Sequence, residues 1–171
     1  ASDVYKRQPC SWAEHSSKKI EKFCENWYKE EKFDVIYCHC CQVLTASVLT
    51  PAIQQSIPYT VTVHDGWWIS PFQFLVNDNG EHFDHQDPIA HLDSECVSDS
   101  EISEAYSRRA ELMHTINHAQ EVNIVSESFA RLYRDIGVKN IKTTPNKVTD
   151  MSLSATDSSN HDRAKAGSSS V

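Results

Sequence analysis

His64 and Asp65 stand side by side on a glycine turn, where a β-branched run stops. The stretch is Tyr59-Thr-Val-Thr-Val-His-Asp-Gly-Trp-Trp68. An imidazole titrates near neutral pH and can give or take a hydrogen bond at a reacting centre. A carboxylate beside it can orient the ring or hold substrate hydroxyls, and it can equally serve as a turn residue. Trp67 and Trp68 carry flat apolar faces of the kind that stack on a pyranose, with ordinary core packing as the alternative. Three more polar positions recur at matching places: His39, Ser126 and Asn146 each follow a short stretch that reads as a strand. Ser126 also has the type and position of a helix N-cap, and a helix N-terminus can meet an anionic or hydroxyl-rich ligand.

These residues share one place only if the chain brings them there. Thr60 to Val63 reads as a strand buried on both faces, the kind found in parallel sheets. Asp34–Cys38, Val122–Val125 and Ile141–Thr144 read as further strands. Between them lie amphipathic stretches. Residues 14–31 place Ile20, Phe23 and Trp27 on one helical face. Val43–Gln55 is apolar enough for a helix, with Pro51 as a kink inside it. Glu101–Ala119 is a third helix. Glu127–Ile136 is a fourth, opened by Ser126 and closed by Gly137. Residues 67–76 are aromatic and irregular, 77–80 form a turn, and 81–99 form a polar loop. Helix–strand alternation predicts an α/β protein with a parallel sheet flanked by helices. The carboxyl ends of such strands lie along one edge, so His39, His64, Asp65, Ser126 and Asn146 are expected to line one crevice.

Composition narrows the classes. A chain of 171 residues with 39% hydrophobic residues has room for one domain with a core. No apolar run approaches the roughly 18 residues of a membrane span. The net charge of −8 argues against nucleic-acid binding, which needs a basic face. Four glycines supply neither a GxGxxG nor a Walker A loop. Of six cysteines, Cys38, Cys40 and Cys41 crowd at one strand, where neighbours point to opposite faces. That is poor disulfide geometry, so reduced thiols and a cytoplasmic setting are expected. The same geometry keeps Cys38, His39, Cys40 and Cys41 from converging on one ion. His82, His85, His91 and Cys96 lack a CxxC, so no metal is expected.

The motifs together resemble a family. Asp34-Val-Ile-Tyr-Cys-His39, Ile57-Pro-Tyr-Thr-Val-Thr-Val-His-Asp-Gly-Trp-Trp-Ile69, Val125-Ser-Glu-Ser-Phe-Ala130 and Pro145-Asn146 look like the N-terminal half of a GT-B glycosyltransferase. The similarity is to the retaining transferases called group 1 or family four, over about residues 18–149. Gln73-Phe-Leu-Val76 resembles one bacterial subgroup. The resemblance implies a Rossmann-like sheet forming part of an acceptor-side domain, which faces a second domain that binds the nucleotide-sugar donor. It implies a sugar or lipid-linked hydroxyl acceptor, no cofactor or metal, and room for peripheral membrane association. His64 matches the family histidine that contacts the transferred sugar. His39 would stand behind it. Asn146 falls where the family has Pro-Asn-Gly, but Lys147 replaces the glycine. The family's first strand would precede residue 14 and its donor domain would follow residue 150, so a fragment is expected. Residues 1–13 are then a non-native or unstructured lead, 14–149 the partial acceptor-side domain, and 150–171 a disordered or linker tail.

Overall fold

The computed structural model describes residues 14–77, 79–92 and 97–145; the expectations for the lead, the tail and Asn146 lie outside these. The chain order is α1 (Lys18–Glu30), β1 (Ile36–Cys38), α2 (Thr50–Gln54), β2 (Tyr59–Val63), α3 (Asp99–Asn117), β3 (Glu121–Ile124), α4 (Glu127–Asp135) and β4 (Ile141–Thr143). The four strands form one all-parallel sheet in the spatial order β1-β2-β3-β4. With its flanking helices this is the expected α/β, Rossmann-like architecture. No helix among the described residues is long and apolar enough to cross a membrane.

Crossovers between parallel strands are right-handed. When strands are laid down one after another in a single direction, that rule sends every crossover helix to the same side of the sheet. Burial along the strands follows suit. Tyr59, Val61, Val63, Val122 and Ile124 are buried in one cluster with Leu112, Ile116, Ala130 and Tyr133 of the helices. The alternate residues Thr60, Thr62, Glu121 and Asn123 are only half-buried. The expected two-faced burial of β2 is therefore corrected. Threonine is β-branched and suits a strand whether or not its face is covered. Here it marks a side with no helix among the described residues.

Local chemistry explains the helix ends. Ser98 and Glu101 form a reciprocal capping box at the start of α3. Ser126 caps α4, and Gly137, at φ +89°, follows its end. Pro51 sits in the first turn of the five-residue α2, where its missing N–H costs nothing. The expected helix over Val43–Gln55 is thus a turn, a 3₁₀ segment at Ala46–Val48, and then α2. α1 also differs from expectation. It buries Cys24 and Tyr28, leaving Phe23 and Trp27 66% and 44% exposed.

The segment after β2 is held from two helices. Arg108 of α3 is buried, donates to the Trp67 carbonyl at 2.5 Å, and lies 5.4 Å from the centre of the Trp67 ring. Arg109 donates to the carbonyls of Ile69 and His85. From α4, the Tyr133 hydroxyl donates to the Asp65 carbonyl at 2.6 Å. Gly66 closes the turn by donating its N–H to the Gln73 carbonyl at 2.6 Å. A Cβ there would lie 2.6 Å from Leu75 Cδ2 and 2.8 Å from the Gln73 carbonyl oxygen. Gly66→Ala is therefore expected to cost about 1–3 kcal/mol through overpacking against backbone that cannot move away. Urea denaturation checks it; a loss within about 0.5 kcal/mol, the range of ordinary surface changes, would show that the turn yields.

Candidate functional site

β2 carries His64 to its carboxyl end and β1 carries His39 to the neighbouring end. The two imidazoles are stacked, with ring centres 6.3 Å apart and planes 23° apart. Both are exposed. Among the described residues His64 makes no hydrogen bond, so its nitrogens are open to a ligand.

Both histidines line a cavity of about 490 Å³ on the helix-free side of the sheet. Its floor is built from alternate strand residues: Tyr37 from β1, Thr60 and Thr62 from β2, and Glu121 and Asn123 from β3. Thr144 and Pro145 close one side. The polar groups are already linked. Asn123 donates to Glu121 Oε1 at 2.9 Å and accepts from the Thr144 hydroxyl at 3.0 Å. Lys142 reaches the other Glu121 oxygen at 3.3 Å. The Asn123 amide, then the lysine, hold the Glu121 carboxyl below its usual range, so it stays a carboxylate at neutral pH. The result is a shallow, neutral-to-acidic bed of hydroxyl, amide, carboxylate and imidazole groups. It can exchange hydrogen bonds with a hydroxyl-rich molecule. Thr60, Thr62, Glu121 and Asn123 were not expected here, although their spacing of two along a strand was readable as a polar face.

The other expected site residues fare differently. Asp65 is committed to the turn: Oδ1 accepts from the Trp67 N–H at 2.9 Å and Oδ2 from Gln42 Nε2 at 2.6 Å. It builds the corner that presents His64 and does not orient the ring. Trp67 and Trp68 are 2% and 5% exposed and pack edge-on to each other. The stacking platform is corrected to core packing, because neither indole has a face open to a ligand. Ser126 is exposed and accepts from the Phe129 N–H at 3.2 Å as the cap of α4. It lies at the same sheet edge but does not line the cavity.

The described cysteines are free thiols, as expected, but they do not share one strand. β1 ends at Cys38 and the chain then turns, so Cys41 comes back to within 3.0 Å, sulfur to sulfur, of Cys38. No group of three or more His, Cys, Asp or Glu residues able to hold a metal occurs among the described residues. The loop histidines are dispersed. His82 Nδ1 lies 3.3 Å from the Leu75 carbonyl oxygen and His85 is 3.6 Å from Asp135. His91 packs against Phe72 and Phe83, and burial pushes its pKa down to about 4. Comparison with protein-family models, with curated proteins and with solved structures finds no match to this chain.

Proposed function

We propose that this chain forms the acceptor-side unit of a retaining glycosyltransferase, which moves a sugar from a nucleotide-sugar to a hydroxyl acceptor. One observation carries this. An exposed histidine with no hydrogen bond among the described residues stands at the carboxyl end of an inner parallel strand, beside a bed of hydrogen-bonding groups. A hydroxyl acceptor on that bed would meet Thr60, Thr62, Asn123 and Glu121, while His64 would hold a hydroxyl near the reacting carbon. Such a unit contributes placement. Stabilising the leaving diphosphate needs cations or aimed donors. Among the described residues, those lining the cavity include no lysine or arginine, so that charge would fall to a separate donor-binding domain. The same feature supports a second reading, a non-catalytic α/β module that binds a sugar or a partner.

Two measurements on the isolated chain test this. Histidine NMR during titration with a panel of methyl glycosides and short oligosaccharides is expected to move the His64 and His39 ring signals. Incubation with UDP-, GDP- and ADP-sugars is expected to give no transfer. Ring signals that stay fixed with every glycoside would remove the acceptor site, and clear product from any donor would remove the division of labour. Transfer by a chain that joins this unit to a donor-binding domain separates the enzyme from the module.

A further inference from the structure

We propose that Cys38 and Cys41 form a thiol–disulfide exchange site, in which Cys38 attacks a low-molecular-weight disulfide and Cys41 resolves the product. This stands whether or not the chain handles sugars.

The geometry assigns the two roles. Two residues separate the cysteines, and they lie on a turn that follows β1, so the sulfurs converge at 3.0 Å. Cys41 is 1% exposed and out of reach of solutes. Cys38 is half-buried and opens onto a second cavity of about 660 Å³, whose apolar walls include Phe23, Trp27, Tyr37 and Leu44. A small disulfide can therefore reach the first thiol and not the second. The electrostatics run the same way. The hydrogen bond from Cys41 holds the Cys38 thiol below its ordinary range. That same contact, and then burial, push Cys41 up. The more acidic, accessible thiol is the attacking one.

The other described cysteines lack this arrangement. Cys24 is buried against Tyr28, and burial raises its pKa. Cys40 is exposed, with its thiol 3.5 Å from Gln42 Oε1.

The exchange balances in two steps. The Cys38 thiolate bonds to one sulfur of R–S–S–R, the R–S–S–R bond breaks, and RS⁻ leaves and takes up a proton. Cys41 gives up its proton and bonds to Cys38 Sγ, expelling the second RS⁻, which is protonated in turn. The protein loses two protons and two electrons, and one small disulfide becomes two thiols. The turn that would be cross-linked contains His39, and Gln42 follows it directly. Gln42 donates to Asp65 Oδ2 at 2.6 Å and to Gln73 Oε1 at 2.8 Å. Oxidation at this turn thus acts directly beside the histidine pair.

Incubation of the whole chain in graded mixtures of reduced and oxidised glutathione, followed by alkylation and peptide mass spectrometry, tests the site. The wild type and Cys40→Ser are expected to form the Cys38–Cys41 disulfide. The double variant Cys40→Ser with Cys41→Ser is expected to stop at one glutathione on Cys38. As a check that needs no variant, iodoacetamide should modify Cys38 of the wild type at lower pH than a free thiol, with Cys41 unmodified. The proposal is overturned if Cys38 and Cys41 both stay reduced in every mixture, if the disulfide formed contains Cys40, or if Cys41 alkylates first.

Discussion

Replacing His64 by alanine is expected to lower kcat/KM by about 100-fold or more, about 2.7 kcal/mol of transition-state stabilisation, once this unit is joined to a donor-binding domain. The expectation follows from the proposed function and from the state of the side chain. His64 is exposed, stacks loosely on His39, and makes no hydrogen bond among the described residues. No described residue consumes its nitrogens, so their hydrogen-bonding capacity is available to substrate. For the same reason, the stability of the His64→Ala chain should fall within about 0.5 kcal/mol of wild type, as for a surface change. Kinetics and denaturation measured together separate the two effects. A drop in kcat at unchanged KM would locate the interaction in the transition state. Unchanged kinetics would reduce His64 to the residue that ends a strand.

Trp67→Ala is expected to do the reverse, removing about 3–5 kcal/mol of stability. The ring is 2% exposed, packed edge-on against Trp68 at 5.3 Å between centres and covered by the Arg108 guanidinium. Alanine leaves a large cavity and takes away the aromatic partner of a buried cation. Against the roughly 5–15 kcal/mol that holds a typical domain folded, such a loss approaches global unfolding. Trp67→Phe keeps an apolar ring in place and is expected to recover most of it. Equilibrium denaturation gives the answer. A stable Trp67→Ala chain with weakened glycoside binding would reinstate the indole as a sugar platform.

The strands were legible in the sequence because their signals are local, whereas their spatial order, set by pairing across the chain, was not. β-branched runs bounded by proline, asparagine and glycine need no tertiary knowledge. The same holds for Ser126 and Gly137 at the ends of α4. What failed depended on neighbours distant in sequence. Phe23 and Trp27 read as one helical face with Ile20 because of their spacing, yet α1 lies against the 3₁₀ segment and α2 through Cys24 and Tyr28, and spacing alone does not say which side of a helix is covered. The bed beside His64 was hidden because Thr60 and Thr62 count toward a β-branched run while presenting hydroxyls. The Cys38–Cys41 pair was missed by treating the turn as a continuation of the strand. Arg108 is a charged residue inside a helix, and only the packed loop after β2 explains why it is buried.

The strand order also bears on how the chain finds its fold. Among the described residues, each strand pairs only with the strands before and after it in sequence, so the sheet can assemble by stepwise accretion. The steps are unequal. Ile36 meets Tyr59 and Val122 meets Ile141, closures of 23 and 19 residues, whereas Thr60 meets Glu121 across 61. Closing the longer loop costs about 1 kcal/mol more in chain entropy. That loop contains the turn that presents His64 and the contacts that Arg108 and Arg109 make with it. Non-local pairing of this kind slows folding. The β2–β3 junction is thus the step on which the two flanking βαβ units must wait, and the functional corner is completed only when it closes.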